Sequence, residues 1–133
     1  FNQAIAPWTL QSDCFLSLCI IDKVTSEKLG VTGFFPRWLP LQQAEVGYLF
    51  LPKGRGRGLA LESLIAVVKY AISEYNFHKI IATVHNENIP SARILEKAGF
   101  QQEALLRQNT FIAGKWNDDK LFGLLAGELI CPI

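Results

Sequence analysis

Residues 44–63 constrain the fold more than any other stretch of this sequence. Their first half alternates as a strand does, with Val46, Tyr48 and Phe50 on one face and Glu45, Gly47 and Leu49 on the other. From Leu59 to Tyr75 the apolar residues recur at the spacing of a helix. A second apolar strand pattern follows at residues 79–84. A strand, a helix and a strand within about forty residues predict a parallel crossover.

The loop between this strand and this helix has the chemistry of an anion-binding site. Glycine fills three of five successive positions and permits backbone angles that side chains forbid. The helix start adds unpaired N–H groups and about half a positive charge from the helix dipole. Such a site most often holds phosphate. Three basic side chains strengthen it: Lys53, Arg55 and Arg57.

Two common phosphate-binding patterns do not fit the loop. The Walker pattern requires Gly-Lys-Ser/Thr at the helix start, whereas Gly58 is followed here by Leu59 and Ala60. The dinucleotide pattern G-x-G-x-x-G is absent because Gly54, Gly56 and Gly58 alternate strictly. For the loop alone, a flexible and solvated turn is the alternative reading.

Two motifs carry a resemblance to a known family. The run Arg55-Gly56-Arg57-Gly58-Leu59-Ala60 resembles the acetyl-coenzyme A loop of the GNAT N-acetyltransferase superfamily, Gln/Arg-x-x-Gly-x-Gly/Ala. Residues 88–100, NIPSARILEKAGF, resemble the second signature of the same superfamily, Asn-x-x-Ser followed by (Ile/Val)-Leu-Glu-Lys-x-Gly-Phe. The chain is most similar, over residues 15–125, to the branch that acetylates the N-termini of ribosomal proteins.

The resemblance implies an α/β fold with a mixed, mostly antiparallel sheet and flanking helices. The central parallel strands, residues 44–51 and 79–84, should splay apart. A short helix should begin at the cap Asn88 and end at Gly99. The last two strands are predicted at residues 103–111 and 120–125, around a turn at 113–119. We expect one domain over residues 1–133, in which most of the N-terminal strand and helices of the family are missing.

The same resemblance implies the cofactor contacts. Acetyl-CoA should enter between the splayed strands, with its pantetheine arm paired to the backbone of Leu49, Phe50 and Leu51. The Leu49 N–H is the expected donor to the oxyanion. Asn88 should bind the cofactor arm from the other side. The pyrophosphate should lie on the loop and the helix start, on the N–H groups of Arg55, Gly56, Arg57, Gly58, Leu59 and Ala60.

Two residues are candidates for the chemistry of acetyl transfer. Glu45 lies on the strand that should flank the thioester and is the candidate base, although a salt-bridged or solvent-facing glutamate is the alternative. The resemblance implies that Ser91 is the candidate proton donor to the departing thiolate, because many members of the family place a Tyr in this helix for that role and the helix has none here. Its alternative role is a hydrogen bond within the first helical turn. For Asn88, helix capping alone is a sufficient explanation.

Four further residues have two readings each. Asp118 and Asp119 could attract a cationic acceptor, but Asn-Asp-Asp is also ordinary turn chemistry, which we favour. Trp38 and Trp116 could either wall the acceptor cleft or belong to the core.

Composition excludes several classes of partner. The formal net charge is +1 and no apolar run approaches the roughly 20 residues of a membrane span, so we expect no nucleic-acid or membrane partner. The cysteines and histidines have no metal spacing, and no metal is expected. The cysteines are interpreted as core residues in a cytoplasmic protein: Cys14, Cys19 and Cys131. The sequence contains no Met, so we expect that its first residue is not the natural N-terminus, either because residues were removed or because upstream sequence is missing.

The expected function is transfer of an acetyl group from acetyl-CoA to a primary amine by direct attack. The acceptor is either a protein N-terminus or a small-molecule amine, and a homodimer stays open. The alternative is a non-catalytic acyl-CoA-binding or interaction domain of the same fold.

Overall fold

The computed structural model describes residues 9–10, 15–37, 41–51 and 58–130. Within these ranges the chain forms a six-stranded sheet with two α-helices on one face. The elements follow in the order β1 (Leu16–Ile21), β2 (Lys28–Arg37), β3 (Gln43–Phe50), α1 (Leu59–Tyr75), β4 (Lys79–His85), α2 (Ile89–Ala98), β5 (Gln101–Ile112) and β6 (Lys115–Leu125). A single 3-10 turn, Ala126–Glu128, comes after β6.

The sheet has the mixed topology that the sequence predicted. Its strand order is β1-β2-β3-β4-β6-β5, and every neighbouring pair is antiparallel except β3 and β4. Helix α1 is the crossover between these two parallel strands and therefore runs back from the carboxyl end of β3 to the start of β4. The fold class is confirmed.

One hydrophobic core lies between the helices and the sheet. Apolar residues of β2, β3, β4 and β6 meet the stripe of α1 that the helical spacing predicted. The fully buried large side chains are Phe34, Leu64, Val68, Phe77, Ile80, Leu95, Phe122 and Leu124. Helices α1 and α2 therefore pack into the same cluster against one face of the sheet.

Both predicted ends of α2 are confirmed. The Asn88 side-chain oxygen Oδ1 accepts the N–H of Ser91 at 3.2 Å, which caps the helix start. Gly99 adopts the left-handed conformation, with φ 109°, and the Phe100 N–H donates to the carbonyl of Leu95. This geometry fixes where α2 begins relative to β4.

The last hairpin turns more tightly than the sequence predicted. Ala113 and Gly114, both with positive φ, form a two-residue turn between β5 and β6. Asn117, Asp118 and Asp119 therefore lie in β6 rather than in a turn, and that prediction was wrong. Turn-forming residues are tolerated in this strand because their side chains bond to a bulge in β5, as described below.

No helix among the described residues is long and apolar enough to cross a membrane.

Candidate functional site

The two parallel strands separate, as predicted. Pairing between β3 and β4 covers only three positions, Gln43 with Lys79, Ala44 with Ile80 and Glu45 with Ile81. Beyond them β3 stays paired with β2, and β4 stays paired with β6 to its last residue. Both strands therefore continue after their mutual pairing stops, and a gap opens between them within the sheet.

A cavity of 240 Å³ occupies this gap. Strands β3 and β4 form two of its walls, and the first two turns of α2 form a third. The lining residues are Val46, Gly47, Tyr48, Ala82, Thr83, Val84, His85, Asn88, Ser91 and Leu95. The cavity lies toward the carboxyl ends of two parallel strands, which is where α/β sheets bind ligands.

The direction of the β3 backbone groups follows from contacts with β2. The Leu51 N–H donates to the Leu29 carbonyl at 2.8 Å, and the Gly47 carbonyl accepts the Thr32 hydroxyl at 3.1 Å. Groups of odd-numbered residues thus face β2. Since backbone groups alternate along a strand, those of Val46, Tyr48 and Phe50 face the gap.

This alternation revises one expectation about β3. Of the three residues expected to pair with pantetheine, Phe50 directs its backbone groups at the gap, whereas the Leu51 amide is bonded to β2. The Leu49 N–H faces β2 as well and is not positioned to meet an oxyanion in the gap. The sequence gives the alternation but not its phase, which depends on how β2 and β3 pair.

The start of α1 lies at the same end of the sheet as the gap. Gly58, the residue before the helix, has φ 71° and ψ 10°, a left-handed conformation that favours glycine. Gly58 has no side chain to cap the helix, and among the described residues no side-chain cap is found for the first N–H groups, which include those of Leu59 and Ala60. Arg55, Gly56 and Arg57 lie outside the described residues, as does Lys53.

Asn88 performs its structural role with one side-chain atom and presents the other to the cavity. Its oxygen caps α2, and among the described residues no hydrogen-bond partner is found for its amide nitrogen. The residue lines the cavity. Capping and ligand binding are therefore compatible in a single side chain.

The hydroxyl of Ser91 does not bond within its own helical turn. Its Oγ lies 2.9 Å from the hydroxyl of Tyr48, which reaches it from β3. The two side chains thus meet at the cavity, one from the strand and one from the helix. The alternation along β3 placed Tyr48 on one face with Val46 and Phe50, but it did not connect Tyr48 with Ser91, because the two residues are 43 positions apart.

Glu45 occupies the point where the parallel strands separate. It is the last paired residue of β3, opposite Ile81, and its side chain is half-buried. Its neighbours Ala44 and Val46 are buried in the core. The Glu45 side chain therefore points to the other face of the sheet, away from the helices.

That other face carries a second depression, of 300 Å³. Gly47 and Tyr48 line both this depression and the cavity in the gap. Gly47 has no side chain, and a Cβ atom there would be 3.6 Å from the ring of Phe15. The two spaces are thus separated at β3 by little more than backbone, with Glu45 two residues away.

The acidic residues of β6 hold the hairpin together. Asp119 is buried and accepts hydrogen bonds from Asn109 Nδ2 at 2.8 Å and from the Thr110 hydroxyl at 3.4 Å. Asp118 accepts the N–H of Gln108 at 2.8 Å. These bonds close the irregular stretch of β5 between Leu106 and Thr110. The carboxylates of Asp118 and Asp119 therefore both accept hydrogen bonds from β5.

His85, to which sequence analysis assigned no role, also lines the cavity. Its Nδ1 accepts the N–H of Glu87 at 3.1 Å, so the proton of the neutral ring belongs on Nε2. That nitrogen lies 3.1 Å from Asn117 Oδ1. The ring thus ties the end of β4 to β6 and supports the loop that leads to Asn88.

A larger cavity, of 530 Å³, lies between the edge strand β1 and α1. Among the described residues, none from β4 or α2 lines it, so it is separate from the gap. The larger volume does not make this cavity the candidate site. The cavity in the gap is the candidate because it is lined by a splayed strand together with Asn88 and Ser91.

Two residues with open or different expectations are exposed. Cys19 of β1 is exposed, contrary to its interpretation as a core residue, and Trp116 is exposed at the hairpin.

The fold and the gap define an α/β protein with a cavity between two splayed parallel strands. The profile of the acetyltransferase (GNAT) domain matches residues 2–101. The chain belongs to the acetyltransferase (GNAT) domain family, as the two motifs indicated.

Individual relatives agree with this family. The chain is 40% identical over 85 residues to the probable N-acetyltransferase YjcK of Bacillus subtilis (strain 168), covering 64% of this chain and 47% of YjcK. It is 32% identical over 79 residues to the [ribosomal protein uS5]-alanine N-acetyltransferase of Escherichia coli (strain K12), covering 59% of this chain and 41% of that enzyme. The chain thus spans about half the length of these relatives, or less.

The fold is shared with a solved structure of the spermidine N-acetyltransferase from Vibrio cholerae in complex with CoA and spermine. The TM-score is 0.80 at 24% sequence identity, with 84% of this chain and 66% of that chain covered.

Proposed function

We propose that this protein transfers an acetyl group from acetyl-CoA to a primary amine. The observation that carries the proposal is the gap between β3 and β4, which opens at the same end of the sheet as the start of α1. The relatives named as N-acetyltransferases support the same activity, as does the CoA in the structural neighbour.

In this proposal acetyl-CoA binds along β3. The pyrophosphate lies on the N–H groups at the start of α1, and the basic residues of the preceding loop sequence add positive charge. The pantetheine arm pairs with the backbone groups of Tyr48 and Phe50 that face the gap. Asn88 donates from its side-chain amide on the opposite wall.

The thioester then lies near the point where the strands separate. A gap-facing N–H of β3, at Val46 or Tyr48, replaces Leu49 as the donor to the oxyanion. Cofactor binding and activation thus use the backbone of one strand, which positions the reacting carbonyl.

The amine approaches from the other face of the sheet, past Gly47. An α-amino group with a pKa near 8 is about one-tenth neutral at pH 7, whereas deprotonating a lysine with a pKa near 10.4 costs roughly 4–5 kcal/mol. An N-terminal amine therefore needs only a modest base. Glu45 fits that role, directly or through a water, because it lies on this face at the separation point.

The acceptor is an amine of one of two kinds. The E. coli relative is named for the alanine of a ribosomal protein, and the Vibrio structural neighbour holds spermine. A non-catalytic acyl-CoA-binding domain of the same fold is the second candidate, because the gap between β3 and β4 could hold the cofactor without transferring its acetyl group.

The test is release of free thiol from acetyl-CoA on addition of an amine panel. The panel contains alanine-initiated peptides, spermidine and lysine, and mass spectrometry identifies the acetylated product. We expect acetylated product in stoichiometric amount with the thiol for at least one amine. Calorimetric binding of acetyl-CoA without transfer to any amine would support the non-catalytic candidate instead, and the absence of binding would exclude both.

A further inference from the structure

Two hydroxyl groups face each other across the entrance of the gap. The Tyr48 hydroxyl comes from β3 and the Ser91 hydroxyl from the first turn of α2, with 2.9 Å between the oxygen atoms. Both residues line the cavity that the proposed function assigns to the thioester. The contact therefore joins two proton-carrying groups in the wall of the cavity where the thiol would leave.

The pair is oriented by its surroundings. The Ser91 N–H is held by the Asn88 side chain, which fixes the backbone from which the hydroxyl projects. The Tyr48 ring packs edge-on against Phe50, with ring centroids 5.9 Å apart. Each of the two residues thus has a neighbour that restrains it, Asn88 for Ser91 and Phe50 for Tyr48.

The acidity of the two groups differs in a way that matters for proton delivery. A serine hydroxyl that gave up its proton alone would be left as an unstable alkoxide. A tyrosine hydroxyl has a pKa of about 10, close to the value of about 8.5 for a thiol. A proton that originates on tyrosine and passes through serine leaves a phenolate, which is far easier to form.

We propose that Tyr48 is a positioning residue that supplies, through Ser91, the proton taken up by the departing thiolate. The inference rests on the proposed function. The amine nitrogen bonds to the acetyl carbon and the carbon–sulfur bond breaks. The sulfur takes the Ser91 hydroxyl proton while Ser91 takes that of Tyr48. The attacking amine releases one proton to water, and water returns one proton to the Tyr48 phenolate, so no net proton is gained or lost.

The informative variant is Tyr48→Phe, which keeps the ring and removes the hydroxyl. A positioned proton donor contributes roughly a hundredfold or more in rate, but a thiolate leaves fairly well unprotonated, so we expect kcat to fall about tenfold. The KM for acetyl-CoA should change less than about twofold, because no cofactor contact is lost.

A donor with a better leaving group separates proton delivery from a structural effect. In the selenium analogue of acetyl-CoA, the leaving selenol is more acidic than a thiol and needs less protonation. The kcat deficit of Tyr48→Phe should shrink to about twofold or less with this donor. A distorted site would instead lower the rate equally with both donors.

Two comparisons complete the design. Tyr70→Phe is the matched control, since it also removes a tyrosine hydroxyl bonded to another hydroxyl, that of Tyr75 on α1, and should leave kcat unchanged. Ser91→Ala should show the same donor dependence as Tyr48→Phe. The double variant should be no slower than Ser91→Ala, because the two residues act as one relay.

An unchanged kcat in Tyr48→Phe, or an equal deficit with both donors, would overturn the inference. Ser91→Ala, measured in the same way, decides the question if Tyr48→Phe does not fold. A wild-type protein that transfers acetyl to no amine contradicts the proposed function itself. The two failures are therefore distinct.

Discussion

At the scale of single residues, the site depends on side chains that serve two purposes. Asn88 caps α2 with its oxygen and presents its amide to the cavity, and Ser91 uses its N–H for the cap and its hydroxyl for Tyr48. Each residue is required by the local structure and is also available to a ligand. A substitution must therefore remove one role and keep the other to be informative.

Glu45→Gln is such a substitution, because it keeps the size of the side chain and removes the base. We expect kcat to fall most at low pH, where the acceptor amine is mostly protonated, and least near pH 9, where it is largely neutral. The measurement is kcat between pH 6 and pH 9. Glu96→Gln, an exposed position on α2, is the control, and an unchanged profile in Glu45→Gln would exclude the base role.

At the scale of elements, the connection between α2 and β5 has little tolerance. Gly99 ends α2 with φ 109°, and a Cβ atom there would lie 2.5 Å from the carbonyl oxygen of Glu128. The Ile130 N–H also donates to the Ala98 carbonyl at 2.9 Å, so the chain after β6 packs against this turn. The position of α2, and with it that of Asn88 and Ser91, depends on this contact.

We accordingly expect Gly99→Ala to lower the free energy of unfolding by about 2 kcal/mol or more, since a left-handed side-chain residue alone costs about 1–2 kcal/mol. Urea denaturation provides the measurement. Gly127→Ala is the matched control, because a Cβ atom there has nothing within 4 Å, and its effect should stay within about 0.5 kcal/mol. Equal effects of the two variants would refute the packing argument.

At the scale of the whole molecule, three features meet at one end of the sheet: the start of α1, the gap and the start of α2. A ligand that binds all three connects β3, β4 and both helices. It should therefore stabilise the folded chain as a unit rather than one segment of it.

Acetyl-CoA should thus raise the melting temperature, with a stabilisation of about 2.7 kcal/mol at a hundredfold excess over Kd. Asn88→Asp keeps the capping oxygen but replaces the amide donors with a negative charge. It should melt near the wild-type temperature without ligand and gain less from acetyl-CoA. RNA is the control ligand, and equal stabilisation by RNA would contradict the proposed site.

Much of the fold was predictable because its signals are local. Alternation along β3, helical spacing in α1, and the Asn88 and Gly99 caps each depend on residues within a few positions of one another. The hairpin was less predictable, because Asn117 and Asp119 resemble turn residues until their partners in β5 are known.

The sequence by itself therefore determined the order of the elements, the mixed topology of the sheet and the family. Only the tertiary structure decided which backbone groups of β3 face the gap and that Tyr48 meets Ser91. The physical reason is that strand phase and side-chain contacts between distant segments depend on pairing and packing. No periodicity within either segment encodes them.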